Sequence, residues 1–219
     1  MSGLLLAAIG AVAASGKAII VKLAYRHGVD ATSLLALRML IALPFFIVMG
    51  LWAARRARER LRLVDWGHVS LLGFTGYYLS SYLDFLGLAY ISATLERLIL
   101  YLSPTLVMLI ALVLLKQRPS RRQLVALGVS YAGVLLAFGH DIQLDGRNTL
   151  IGSALVFGGA LSYAIYLFGS GQVVGRIGAL RLTAYASGVA SVLCIGQYLL
   201  TRPLSDLAGF ATPVYWLSL

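Results

Sequence analysis

Runs of about twenty apolar residues recur along this chain, separated by short polar segments. A helix apolar on every side must be surrounded by other apolar material. A run of roughly 20 residues, at about 1.5 Å per residue, also matches a hydrocarbon core about 30 Å thick. Each run therefore reads as a membrane-spanning helix. The runs fall at 3–23, 31–53, 66–88, 92–115, 123–138, 150–168 and 180–200, and an eighth begins near Pro213 and reaches Leu219. No connecting segment is long enough to form a separate soluble domain, so the fold class is an all-α, polytopic integral membrane bundle.

The residue balance excludes the soluble alternative. The sequence is 60% hydrophobic and 12% charged, against roughly 45–50% and about 25% in soluble domains. Its formal charge of +10 would suggest a nucleic-acid partner in a soluble protein, because clustered basic residues neutralise phosphates. Here the basic residues concentrate in the even-numbered loops: Arg55, Arg56, Arg58, Arg60 and Arg62, then Lys116, Arg118, Arg121 and Arg122, then Arg176 and Arg181. The positive-inside bias of membrane insertion accounts for them, which places these loops and the amino terminus in the cytoplasm and leaves no call for nucleic acid.

The stretch 4–14 is apolar enough for a signal-peptide core, but no Lys or Arg precedes it and Ala18-Ile19-Ile20-Val21 continue the run, so it reads as a retained first span. The lone cysteine, Cys194, lies within an apolar run as a small packing residue. A shift of 149 positions lays Gly3 on Gly152, Gly10 on Gly159 and Ala11 on Ala160. The sixth span then repeats the first. A unit of five spans is odd, so its second copy enters the membrane from the opposite side, as in transporters built from inverted repeats. This divides the chain into a first repeat, 1–139, and a truncated start of a second, 149–219, with ten helices expected in the full protein.

No enzyme signature is present: neither a zinc-protease helix motif, nor a nucleophile elbow, nor a phosphate-binding glycine loop. His27, His68 and His140 lie at span edges or in loops and form no ligand set, so no metal and no cofactor is expected. The informative residues are ionisable ones inside apolar runs. Lys17, Arg38, Asp84, Glu96 and Arg97 lie there, where a charge costs about 2.5–3.5 kcal/mol even on the lenient insertion scale. Long basic side chains near a span end reach the interface, but Asp84 is too short to do so and needs a partner or a wet cavity. Tyr77, Ser80, Ser81 and Asp84 recur at spacings of three and four, on one face of the third span. In the fourth span Pro104, beside Ser103, interrupts the backbone ladder, as helices lining transporter sites often do.

In the resulting topology these charges fall at similar depth on the external side of the midplane. One arrangement pairs Arg97 with Asp84, and Glu96 with Arg38 or Lys17, leaving one cation over for a substrate carboxylate or other anionic group. The candidate substrate-binding set is thus Lys17, Arg38, Tyr77, Ser81, Asp84, Glu96, Arg97 and Ser103. Under the 149-residue shift Tyr166 stands opposite Lys17, so the charged layer belongs to the first repeat alone.

Several stretches resemble the drug/metabolite transporter superfamily, specifically its EamA-type members. They are Ala89-Tyr90-Ile91-Ser92-Ala93, Tyr101-Leu102-Ser103-Pro104 and Leu114-Leu115-Lys116-Gln117-Arg118-Pro119, followed by Gly128 and Gly133, with Arg38 upstream. The resemblance implies a ten-helix carrier of the cell (inner) membrane, both termini cytoplasmic, with a central cavity between two inverted halves. It implies export of amino acids, other metabolites or toxic compounds. Gln117 stands where the family has a glutamate. The expected function is a secondary transporter of a small-molecule substrate by alternating access. Proton coupling, oligomeric state and substrate identity are not fixed by the sequence. An intramembrane enzyme acting on lipid, or a non-transporting assembly protein, are the competing readings.

Overall fold

In the computed structural model, which describes residue 5 and residues 16–57, 61–138 and 146–203, the chain is helical throughout its packed parts. In chain order the helices are α1 (Lys17–Arg26), α2 (Ala31–Arg56) and α3 (Leu63–Gly73), which runs through a π-helical turn (Phe74–Leu79) into α4 (Ser80–Leu88). They continue with α5 (Ala93–Leu100), α6 (Ser103–Leu115), α7 (Arg121–Phe138), α8 (Gly146–Ile177) and α9 (Ala179–Thr201). By length and hydropathy, four helical stretches among the described residues are able to cross a membrane: Ala31–Arg56, Ala93–Leu115, Asn148–Ile177 and Ala179–Thr201. The continuous rod α3–π–α4 and the 18-residue α7 stand at the third and fifth expected positions.

The rod is the centre of the packing. Its first half lies against α9 and its second half against α8, while α2 pairs along α9 and α1 closes over α4. Small residues allow the close approaches. A Cβ on Gly87 would lie 2.8 Å from the Gly152 carbonyl oxygen, and one on Gly152 would lie 3.0 Å from that of Gly87. At these two points the backbones of α4 and α8 come close because neither glycine carries a side chain, which is how membrane helices gain contact when no hydrophobic driving force separates them from lipid. Ala18, Val21, Ala24, Leu34, Leu35, Phe85 and Leu88 form the core where α1, α2 and α4 converge.

Two helices depart from the expected boundaries. The sixth span, expected at 150–168, is a helix of 32 residues. Glycines at 169, 171 and 175 weaken helical propensity there, but Val173 and Ile177 are buried against Val69, Leu72 and Leu182, and that packing carries the helix on. The expected sixth loop shrinks to Gly178, whose φ of +87° turns the chain into α9. Arg176 therefore sits in the last turn of α8 and Arg181 in the first turn of α9. The first span, expected to end at 23, continues to Arg26 and closes at Gly28, with φ +78°. Its earlier residues, including Gly3, Gly10 and Ala11 of the proposed repeat, lie outside the described residues. So do Arg58, Arg60, His140 and the segment from Pro213. The fourth span breaks where expected: α5 stops at Leu100, Tyr101 and Leu102 turn, and Pro104 opens α6 in its first turn, where a missing N–H costs nothing.

Candidate functional site

Three helices bring four charges together. Lys17 projects from α1, Asp84 from α4, and Glu96 and Arg97 from α5. Ser92 caps α5 by accepting a hydrogen bond from the Leu95 N–H at 3.1 Å, which places Glu96 in the first turn, where the helix dipole favours a negative charge. The Lys17 ammonium lies 2.5 Å from Asp84 Oδ2 and 3.7 Å from Glu96 Oε1, so one cation serves two carboxylates. It also lies 5.7 Å above the ring of Phe85. Arg97 Nε is 3.3 Å from Glu96 Oε2. Tyr25 fixes α1 against α4 by donating to the Phe85 carbonyl at 2.6 Å.

The burial is uneven, and that decides what the cluster is able to do. The side chains of Asp84 and Glu96 are 3% and 0% exposed, whereas those of Lys17 and Arg97 are 27% and 26% exposed. Three carboxylate oxygens, Asp84 Oδ1 and both of Glu96, are buried without a hydrogen-bond donor among the described residues. The ion-pair contacts to Glu96 are too long or too misaligned to supply one. Buried acceptors in that condition are costly, and a donor brought to them would be held strongly.

The pairing differs in part from the expected one. Lys17, one of two cations expected beside Glu96, is there; Asp84 is held by that same lysine, where Arg97 was the expected partner. Glu96 and Arg97 were expected to face different neighbours, yet the long guanidinium arm folds back across the helical turn onto the adjacent carboxylate. Arg38, the other candidate, lies exposed on α2, and among the described residues no carboxylate is within ion-pairing distance of it. It is still near enough to Asp84 to interact electrostatically.

The polar stripe of the third span is divided. Asp84 and half-buried Ser81 lie on α4, but Tyr77 falls in the π-helical turn, whose wider winding shifts its phase relative to α4. Tyr77 shares a 3.0 Å hydrogen bond with Tyr166 of α8, ring centroids 5.1 Å apart. Ser103 is buried at the start of α6.

Other polar pairs were not anticipated. Tyr78 donates to Gln197 Oε1 of α9 at 3.0 Å. Asp65, buried at the start of α3, accepts from the Arg62 N–H at 2.8 Å and pairs with Arg176 of α8. Asp65 lies just before the expected third span and Arg176 in the expected sixth loop, so neither drew the cost argument that flags a charge within a membrane.

A cavity of about 840 Å³ lies elsewhere. It opens between α6 and α7, lined by Tyr101, Pro104, Met108, Arg118 and Tyr131 among others, and shares no residue with the charge cluster. The charged groups are in direct contact with one another, so the cluster is closed in this conformation and a bound solute would have to replace some of those contacts. Among the described residues no group of three His, Cys, Asp or Glu side chains is placed to hold a metal ion.

Comparison with known proteins agrees with this architecture. An "uncharacterized transporter", YcbK of Bacillus subtilis (strain 168), is 30% identical over 217 residues, covering 97% of this chain and 67% of that protein. An "uncharacterized transporter" of Archaeoglobus fulgidus is 26% identical over 201 residues, covering 91% of this chain and 65% of that protein. The chain thus spans about two thirds of the length of these curated relatives. A crystal structure aligns with a TM-score of 0.64 at 19% identity over 93% of this chain and 73% of that one, a likeness of fold. The sequence pattern of the EamA-like transporter family matches residues 1–139. A multi-pass membrane protein with that match over more than half its length belongs to the EamA-like transporter family.

Proposed function

We propose that the protein carries a small solute bearing both an anionic group and hydrogen-bond donors, an amino acid or similar metabolite, across the cell (inner) membrane as a secondary exporter. The observation that carries this reading is the unequal charge cluster. Lys17, Arg97 and nearby Arg38 are three cations around the two described carboxylates there, Asp84 and Glu96, three of whose four oxygens lack donors among the described residues. The surplus cation suits a substrate carboxylate, with Arg38 the group best placed to meet it. The donor-poor oxygens of Asp84 and Glu96 suit an ammonium, a hydroxyl or a transferred proton. Ser81, Tyr77 and Ser103 supply further polar surface on the helices flanking the cluster.

The mechanism that fits is alternating access. In this closed arrangement Lys17 bridges α1 to α4 and α5. A substrate ammonium competing for Asp84 would loosen that bridge, and loosening it frees the helices to part on one side of the membrane. Two inverted five-helix halves, ten helices in all with the amino terminus cytoplasmic, would provide the two gates. Both curated relatives are named as uncharacterized transporters, which supports transport over the intramembrane enzyme.

The test compares metabolites retained and excreted by cells lacking or overproducing the protein. Overproduction should enrich the medium, and depletion the cytoplasm, in amino-acid-like solutes. If neither changes the distribution of any small solute, the reading fails.

A further inference from the structure

The cavity between α6 and α7 has two chemically different ends. Pro104, Val107, Met108 and Ala111 recur at spacings of three and four, so a single face of α6 makes one wall. Ala126, Leu127 and Tyr131 of α7 belong to the other. Packed helices close to about 8–10 Å between their axes, but here about 840 Å³ of space stands between the facing sides of a helical hairpin. Pro104 to Leu115 spans about 16 Å at about 1.5 Å per residue. That is close to one leaflet of a hydrocarbon core about 30 Å thick. At the deep end the hydroxyls of Thr105 and Tyr131 share a hydrogen bond, which leaves little there for a polar guest. Toward the turn the lining becomes polar, with Gln117, Arg118 and Gln123.

The mouth is basic, and no described group balances it. Arg118 lines it, and exposed Lys116, Arg121 and Arg122 stand beside Arg118 in sequence. None of these four is within ion-pairing distance of a described carboxylate. The sequence itself holds no Asp or Glu between Arg97 and His140. Arg121 and Arg122 also open α7, whose first turn carries no acid. There the helix dipole adds positive potential to two cations, an arrangement that an anion relieves. Insertion bias accounts for basic residues in this turn, but not for an apolar groove running down from them.

The two ends together select the guest. Where side-chain burial is described, α7 is exposed except at Leu127 and Tyr131, which are half-buried and line the groove. Free phosphate would match only the mouth, and an apolar helix only the walls. A molecule with an anionic head and a hydrocarbon tail one leaflet long matches both.

We propose that the α6–α7 groove binds an anionic phospholipid, with Arg118 holding the phosphate and an acyl chain lying between Met108 of α6 and Leu127 of α7. Such a lipid would hold α7 against α6, the helix that begins at Ser103. The site is independent of which solute is carried and in which direction.

The test is thermal unfolding of the detergent-purified protein with phosphatidylglycerol, phosphatidylcholine or inorganic phosphate added. At roughly a hundredfold excess over the dissociation constant, phosphatidylglycerol should raise the unfolding midpoint by about 5 °C, and the other two should leave it unchanged. R118Q, at the mouth, and A126W, which fills the groove without removing a charge, should each lose more than half of that shift. R55Q, of equal charge loss but outside the groove, should keep it. An equal shift with phosphatidylcholine or with inorganic phosphate would overturn the anionic lipid as the guest. Retention of more than half the shift in R118Q or A126W, or a matching loss in R55Q, would overturn the groove as its place. No shift with any of the three would mean that protein, a second copy or further chain, fills the groove instead. Arg118 and Ala126 are both exposed; should A126W still fail to fold, R118Q decides the outcome alone.

Discussion

Lys17 and Asp84, 67 residues apart in sequence, meet at 2.5 Å and join the first helix to the fourth inside an apolar bundle. The aspartate is almost wholly buried and the lysine about a quarter exposed, so the two do not bear removal equally. K17M strands a buried carboxylate without its nearest cation and should destabilise the protein by about 3 kcal/mol, the lower end for breaking a buried pair because the lysine retains some access to its surroundings. D84N removes the buried charge itself and should cost less. The double variant K17M/D84N should be more stable than K17M alone, as read by thermal unfolding in detergent; additive losses would mean that the contact is not an energetic pair.

Gly76 and Tyr166 make a second test of the packing. A Cβ on Gly76 would lie 2.2 Å from Tyr166 Cγ, closer than any relaxed contact. G76A should therefore lower stability by about 1–3 kcal/mol, the usual cost of overpacking. Y166A removes the ring part of that clash, leaving the residue's own Cβ at 2.7 Å, while losing the hydrogen bond to Tyr77. The combined variant should accordingly unfold at a higher temperature than the sum of the single losses predicts.

The sequence made Lys17, Asp84 and Glu96 legible because ionisable groups in an apolar run have few physical excuses, and the structure draws these three together. The partner of each charge was not legible. Pairing depends on how far each helix is rotated, and the π-helical turn at Phe74–Leu79 resets that rotation between Tyr77 and Asp84, a change that no spacing rule announces. Asp65 and Arg176 escaped for a different reason: hydropathy ended the sixth span at 168, whereas packing of Val173 and Ile177 against α3 and α9 extends the helix to Ile177 and carries Arg176 to Asp65. The helix break at Tyr101–Leu102 was readable, since Pro104 acts through local covalent geometry alone.

The topology is open to chemical labelling. The sole cysteine, Cys194, is buried, so background reaction should be low. R58C should react with an impermeant thiol reagent only in opened cells, and N148C in intact ones, if the positive-inside bias sets the orientation. Labelling of position 58 from outside intact cells would reverse the orientation and with it the assignment of the charge cluster to the external half of the membrane.

Transport itself should separate the cluster from the basic loops. Arg38 lies within electrostatic reach of Asp84 but outside ion-pairing distance of any described carboxylate, so its removal breaks no ion pair among the described residues. R38Q should leave thermal stability and membrane abundance close to the parent while reducing solute flux at least about tenfold, the effect of losing about 1.4 kcal/mol of charge-assisted binding. If the substrate's anionic group meets Arg38, the loss should appear mainly as weaker apparent affinity, and R38K should recover part of it, since lysine keeps the charge but not the planar fork. D84N should reduce flux at least as strongly through the other end of the solute, and R58Q, in the basic segment between α2 and α3, should change neither. Unchanged flux in both R38Q and D84N at matched abundance would mean that the charges only hold the helices together. A loss of flux in R38Q that follows its loss of folded protein would say the same of Arg38 alone.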